Sequence, residues 1–344
     1  MTARFASQQE ISQWNTHILA NPDGGNVFAS YEFAIQKEAG GYKARFVFIG
    51  DIAITILEKN TPPLGKLWYL PKGPEVTSTK ELFGALKSLK SFAKKHGVFV
   101  IRIESELRRE QQPTLRRHGL IKANPIIPNP STIILDISDS LETVLTNLPQ
   151  KGRYAIKRAE RDGVTTKLVK PTDANCKKMY ALLTETAEGQ FGIRSYDYYR
   201  SFWQRFAEAG SGQLFFAYVD SKVVAGAYAM VFGAKSTYKD GASVRNRTTY
   251  GASHLLQWHV IQWAKSQGSI MHDFCGAPPS DEINDTDHKH YGIGLFKTAF
   301  SKTVTDYIGC YDLVIYTPQY TLWTKIGERV AHRLHFYKHH DSYY

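Results

Sequence analysis

One pattern runs twice along this chain, and that repetition limits the possible folds more than any single motif does. In the first half, YKARFVFIGDIAITILE reads as two strands turning at Gly50 and Asp51, followed by a helix from about Lys80 to His96, a stop at Gly97 and the strand VFVIRIE. In the second half, GQLFFAYVDSKVVAGAYAMVFG is a hairpin turning at Asp220 and Ser221. STYKDGAS, a helix from about Gly251 to Gln267, a stop at Gly268 and the strand SIMHDF follow it. Gly97 and Gly268 occupy the position where a helix ends in a left-handed residue, which glycine adopts without steric cost.

Hairpin, strand, helix, strand is the order of an acetyltransferase-type mixed α/β sheet. Two such units predict two tandem acetyltransferase-like (GNAT) domains with a ligand cleft between them. The expected limits are 1–138 for the first domain and 139–315 for the second. The segment 124–130 (NPIIPNP) is a rigid connector and STIILDI a strand near the join, with Ser138 to Ser140 available to cap the next helix. Segment 316–344 carries Leu322, Ile326, Val330 and Leu334 at steps of four. It is expected to form an amphipathic helix packed back on the body, completing the first domain.

The 344 residues suffice for two such domains, and 42% apolar with 22% charged residues is a globular composition. No run approaches the ~18 apolar residues of a membrane span, and the start of the chain lacks the apolar core of a signal peptide. Cys176, Cys275 and Cys310 make no paired framework and no C-x-x-C, which points to a reducing, cytoplasmic setting. The net charge of +11 suits a polyanionic partner, whether nucleic acid, nucleotide or anionic membrane, but a solvated surface would explain it too. The basic residues Lys325, Arg329, Arg333 and Lys338 of the last segment carry the same two readings, peripheral membrane contact or a solvated face.

In GIGLFKTAF, Lys297 stands between Leu295, Phe296, Ala299 and Phe300. A lone ammonium in apolar surroundings calls for a partner, because burying a charge is costly. An anionic substrate or a developing oxyanion would serve. In QKGRYAIKRAERDG, Arg153, Lys157 and Arg161 recur at i, i+4 and i+8, a face that suits a phosphate backbone, with a solvated helix as the alternative. Arg194 precedes a helix start at Ser195, with Tyr198 one turn on, so the pair suits a diphosphate or a simple capping role. Lys37 ends a helix, where dipole stabilisation alone accounts for it. Asp285, Asp287, His288 and His290 read as a solvated loop rather than a metal site, and His332-x-x-His335 carries no more weight. Cys275 near His272 reads as a buried thiol rather than a nucleophile. The turn Thr248–Ser253 lacks the leading Gln or Arg and the closing Gly or Ala of a coenzyme A pyrophosphate loop, which argues against a CoA donor.

Taken together, LPQKGRYAIKRAERDGV, ETAEGQFGIRSYDYY, TYKDGAS, LLQWHVIQWAKSQG, HDFCGA and GIGLFKTAF resemble the Fem family (FemABX) of peptidoglycan aminoacyltransferases in content, order and spacing. The resemblance covers Leu148–Phe300 well and the N-terminal half more loosely. It implies transfer of an amino acid from aminoacyl-tRNA to the stem peptide of a cell-wall precursor, either a UDP-linked muramyl pentapeptide or its lipid-linked form (lipid II). The donor ester is already activated, so no cofactor and no metal are implied. By resemblance Lys297 steadies the oxyanion or the tRNA end. Lys37, Arg194 and Tyr198 hold the precursor diphosphate, and Tyr238 and Phe296 line the acceptor site. Arg153, Lys157 and Arg161 contact tRNA. Glu104 and Glu106 lie where a base has been considered in relatives, and neither is assigned that role. No room exists between Thr172 and Gln213 for the coiled-coil arm of some members, so the short form is implied, with a monomer as the default. An N-acyltransferase of the same fold acting on another envelope or small-molecule amine is the competing reading.

Overall fold

The computed structural model describes residues 2–127, 130–187, 192–245, 249–339 and 343–344. The chain forms two compact units, residues 1–130 with 306–344, and residues 131–305.

The first unit is built on a seven-stranded sheet. Its strands lie in the order Ala3–Phe5, Lys43–Ile49, Ile52–Thr61, Gly65–Leu70, Val98–Ile103, Tyr311–Val314, Ile121–Lys122. The first four form an antiparallel meander. Gly65–Leu70 then runs parallel to Val98–Ile103. Parallel neighbours need a crossover, and the helix Thr79–Lys95 supplies it. Ser78 caps that helix by accepting from the Glu81 amide. Leu82, Leu86, Leu89 and Ala93, spaced at helical intervals, are buried in the core with Val98, Ile101 and Ile103 of the strand that follows. Gly97 ends the segment at φ 70.

The second unit repeats the design. Its strands lie in the order Val304–Asp306, Ser131–Asp136, Met271–Gly276, Lys235–Ser243, Lys222–Phe232, Gly212–Val219, Thr165–Val169. Lys235–Ser243 and Met271–Gly276 are its parallel pair, joined through the helix Ala252–Ser266, which buries Leu255, Leu256, Val260, Ile261 and Ala264. The duplicated hairpin, strand, helix and strand therefore stand as the sequence pattern predicts.

The boundaries differ from expectation. Ser131–Asp136, read as part of the first domain, pairs antiparallel with Met271–Gly276 of the second sheet. Tyr311–Val314, read as part of the second domain, pairs with Val98–Ile103 of the first. Cross-strand partners decide membership, and local composition carries no record of them.

The final segment also departs from expectation. It forms the helix Thr317–Leu322, a wider π-type turn over Trp323–Gly327, and the helix Glu328–His339. Tyr320 and Trp323 are buried, whereas Leu322, Ile326, Val330 and Leu334 are 45–64% exposed. The segment is held through charge as well. Arg102, 2% exposed, makes a two-pronged bond to Asp312 at 2.8 and 3.0 Å, and its Nη1 reaches Glu328 at 2.7 Å.

Candidate active site

Lys297 closes the short helix Tyr291–Lys297 and is 8% exposed. Its Nζ donates to the carbonyl oxygens of Cys275 at 2.9 Å and Gly276 at 2.6 Å. Two distortions aim those carbonyls. The strand Met271–Gly276 shifts register between Asp273 and Gly276, and Cys275 adopts φ 57, a left-handed conformation that costs a non-glycine residue energy. Asp273 steadies the bend by accepting the Cys275 amide at 2.7 Å. Among the described residues no carboxylate forms an ion pair with Lys297. Desolvation lowers its pKa to about 8, and Cys275 and Asp273 offset this only in part. The ammonium is therefore charged near neutrality but close to its titration point.

Aromatic rings adjoin it. Phe296 lies 4.9 Å from the His254 ring, 5.6 Å from Phe300 and 6.4 Å from Tyr238. Burial, with a smaller effect of Asp240, holds the Tyr238 hydroxyl above its ordinary pKa. Gly241 makes room for this tyrosine, since a Cβ there would sit 1.6 Å from the Tyr238 hydroxyl.

A β-bulge separates the next residues. Tyr228 pairs with Asp240 and Ala229 with Tyr238, so Lys239 is the extra residue. In a regular strand Tyr238 and Asp240 would share a face. Here Tyr238 contacts Phe274 and Phe296, while Lys239 lies over the Phe202 ring and Asp240 accepts the Trp203 indole N–H at 2.9 Å. Lys239 pairs with Asp240 at 3.0 Å. Burial pulls the Lys239 pKa down, but Asp240, Tyr198 and Tyr199 outweigh it and the ammonium titrates above its ordinary range. The motif TYKDGAS gives no sign of this arrangement of Lys239 and Asp240, because a bulge leaves no mark in residue spacing. Arg194 lies 4.6 Å over the Tyr198 ring, at the start of the helix Tyr196–Glu208 that carries Phe202 and Trp203. Phe191, which opens that motif in the sequence, lies outside the described residues.

The basic helix is Gln150–Arg161. Its buried face is Gly152, Ala155, Ile156 and Ala159. A Cβ on Gly152 would lie 1.9 Å from the Ala299 carbonyl oxygen, so this glycine lets the helix press against the backbone just beyond Lys297. Arg153 does not join Lys157 and Arg161 on an open face. Its guanidinium turns back to the carbonyls of Thr146, at 2.8 Å, and Leu148, closing the preceding helix. Lys151, Tyr154, Lys157 and Arg161 are exposed instead, together with Glu160, and Tyr154 is 54% exposed and 6.0 Å from the Tyr250 ring.

At the turn expected to replace a pyrophosphate loop, Thr248 lies outside the described residues. Gly251 has φ 83, and a Cβ there would lie 2.1 Å from the Ala155 carbonyl. The basic helix thus packs directly against the start of Ala252–Ser266.

Other candidates resolve as structure. Both ring nitrogens of His272 are engaged, with Ser236 at 2.8 Å and Gln257 at 2.6 Å, and burial pushes its pKa down to about 3. It is no base for Cys275, which is half-buried rather than buried. In the polar loop His288 faces Glu282 at 3.5 Å. His332 and His335 both lie against the Tyr343 ring. In the first unit Lys37 is buried, with its Nζ 5.6 Å from the Phe33 ring and 5.9 Å from Tyr42. Glu104 accepts the Ile126 amide at 2.7 Å and the Tyr69 hydroxyl, and burial raises its pKa more than these bonds lower it. Glu106 pairs with Lys72 at 3.3 Å.

Two mixed sheets, each holding a crossover parallel pair, are the architecture of the acetyltransferase (GNAT) fold. A family model described as an acetyltransferase (GNAT) domain matches residues 149–290. The lipid II:glycine glycyltransferase of Staphylococcus aureus is 22% identical over 91% of this chain and 94% of its own length. That alignment extends over 403 positions, more than the 344 residues here, so the relative holds segments this chain lacks. The same-named protein of Staphylococcus epidermidis is 32% identical over 108 residues, 31% of this chain and a quarter (25%) of its own length. Among solved structures, FemX superposes with TM-score 0.80 at 20% identity, covering 95% of this chain and 100% of that one. The C-terminal domain of a putative lysylphosphatidylglycerol synthetase from Agrobacterium fabrum reaches TM-score 0.51 at 14% identity, covering 92% of this chain and 96% of its own. Over nearly its whole length the chain is similar to aminoacyltransferases of the FemABX family.

Proposed function

We propose that this enzyme transfers an amino acid from aminoacyl-tRNA to an amine on the stem peptide of a peptidoglycan precursor, building the interpeptide bridge. The observation that carries the reading is Lys297, a buried ammonium whose two bonds go to neutral carbonyls and which forms no ion pair with a carboxylate among the described residues. An ammonium has three donors, so one remains for substrate.

In the reaction the acceptor nitrogen attacks the ester carbonyl carbon. A C–N bond forms, the C–O bond to the ribose breaks, and the proton lost by the amine ends on the departing ribose hydroxyl. Negative charge builds on the carbonyl oxygen in between, and a preorganised N–H donor there is worth several kcal/mol at the transition state, on the order of 3. Tyr238 and Phe296 flank the acceptor peptide. Arg194, lying over the Tyr198 ring, supplies a cation for the precursor's diphosphate. Lys151, Lys157 and Arg161 contact tRNA phosphates, and Tyr154 in their midst offers a ring to an unpaired base. The helix packed against Gly251 favours an RNA ester over coenzyme A as donor. The relatives named for lipid II support a lipid-linked acceptor.

The test is transfer of label from a mixed pool of aminoacyl-tRNAs to the UDP-linked and the lipid-linked precursor in parallel. Label on either acceptor is the expected result. No transfer by the folded protein to either one would overturn the reading.

A further inference from the structure

The segment Thr317–His339 presents to solvent the apolar residues that its sequence pattern assigned to the core. Leu322 is 49% exposed, Ile326 55%, Val330 45%, Leu334 64% and Tyr337 85%. These recur every three or four residues, so they form one stripe along the segment. The opposite side anchors it, through buried Tyr320 and Trp323 and through Glu328, which is bound to Arg102. The stripe is therefore attached to the first unit through Tyr320, Trp323 and Glu328. Lys325, Arg329 and Arg333 run beside it at i, i+4 and i+8, and Lys338 follows near the end. The Arg329 guanidinium bonds the Lys325 carbonyl at 2.8 Å, so it lies along the helix surface. The acidic member of the segment, Glu328, is already committed to Arg102.

An apolar stripe bordered by cations is the chemistry of a helix lying in the interface of an anionic bilayer, with aliphatic side chains among acyl chains and ammonium or guanidinium groups at the phosphates. Contiguous exposed apolar surface marks an interaction site, and the row of cations selects a negatively charged partner. We infer that this segment docks the protein peripherally on an anionic lipid surface. No helix among the described residues is long and apolar enough to cross a membrane, so the contact is interfacial. The inference does not depend on the proposed reaction. If both hold, docking brings the enzyme to the surface where a lipid-linked acceptor lies.

The test is co-flotation of the full chain with vesicles of phosphatidylglycerol and, separately, of phosphatidylcholine. The expected result is flotation with phosphatidylglycerol and little with phosphatidylcholine. Leu334→Glu combined with Ile326→Glu lowers the partition at least about tenfold. Arg329→Gln combined with Arg333→Gln lowers it on the order of thirtyfold at low salt. All four positions are on the surface, so the variants keep wild-type circular dichroism and melting. Flotation with neither vesicle overturns the inference. So does flotation unchanged by the two glutamates, which would assign the attraction to the overall charge. Sedimentation showing a concentration-dependent dimer that Leu334→Glu dissolves, without vesicle binding, would make the stripe a protein interface and overturn it as well.

Discussion

At the scale of single residues, Lys297 carries a cost that the protein retains. Its pKa of about 8 lies below the ordinary lysine value of 10.5. Below pH 8 the ammonium is charged in both native and unfolded chains, and the full burial cost weighs on the native state. Between pH 8 and 10.5 the unfolded chain holds a proton that the native chain has lost, so stability rises with pH, by about 3 kcal/mol across the window. Urea titrations at pH 7.5 and 10 should show this rise in wild type, and Lys297→Met should remove that part of the slope. An equal slope in both would show that Lys297 titrates normally. Lys297 was legible in the sequence because a charge among Leu295, Phe296, Ala299 and Phe300 is conspicuous. The carbonyls it bonds were not legible, since they depend on the left-handed Cys275 and a register shift. Gly241 was equally silent, because its role is the absence of a side chain where the Tyr238 hydroxyl lies.

At the scale of elements, the basic helix divides into structural and exposed cations. Periodicity placed Arg153, Lys157 and Arg161 together, and i, i+4, i+8 does set their Cα atoms on one side. A long side chain can still turn back, and Arg153 does so to close the helix Leu141–Asn147. Arg153→Ala should therefore cost stability, about 1–3 kcal/mol for the carbonyls left without a donor, with tRNA affinity unchanged. Lys157→Ala should leave the melting temperature alone, weaken tRNA binding and reduce the slope of log K against log salt by about 1. Thermal melts and a salt series of binding curves on both variants check this, and exchanged outcomes would return Arg153 to the RNA-facing set. The long crossover helices were predicted within a residue or two, because their apolar spacing, caps and terminal glycines agree. The final segment departs from its sequence periodicity because a π-type turn over Trp323–Gly327 rotates the pattern, putting Trp323 inside and Leu322 and Ile326 outside.

At the scale of the whole molecule, duplication was legible and strand ownership was not. Ser131–Asp136 and Tyr311–Val314 are short strands whose partners lie more than a hundred residues away, and each completes the sheet of the other half. The first unit is closed by Arg102 holding Asp312 and Glu328 in a buried network. Removing one member of a buried pair strands the other charge, so Asp312→Ala should destabilise that unit by about 3–5 kcal/mol. Glu328 adds a pH dependence of definite sign. Burial alone would raise its pKa, but Arg102 and the Tyr344 hydroxyl outweigh it and hold it below the ordinary carboxylate value. Its contribution is present above that value and fades as pH falls through the lowered one. Acid unfolding of wild type should thus begin in the first unit, and Asp312→Ala should begin at higher pH. Hydrogen exchange on Val98–Ile103 against Lys222–Phe232 separates the two units. Equal protection of both strands in the variant would show that Asp312 does not hold the first unit closed.

Single-turnover transfer from labelled aminoacyl-tRNA by wild type and Lys297→Met, with tRNA affinity measured on the same preparations, addresses the central claim most directly. With Lys297 as the donor to the carbonyl oxygen, the variant should lose on the order of 10²–10³ in rate while affinity changes little, and the wild-type rate should fall above about pH 8 as Lys297 loses its proton. An intact rate in the folded variant, or a loss of affinity equal to the loss of rate, would contradict the assignment of Lys297 to the chemical step.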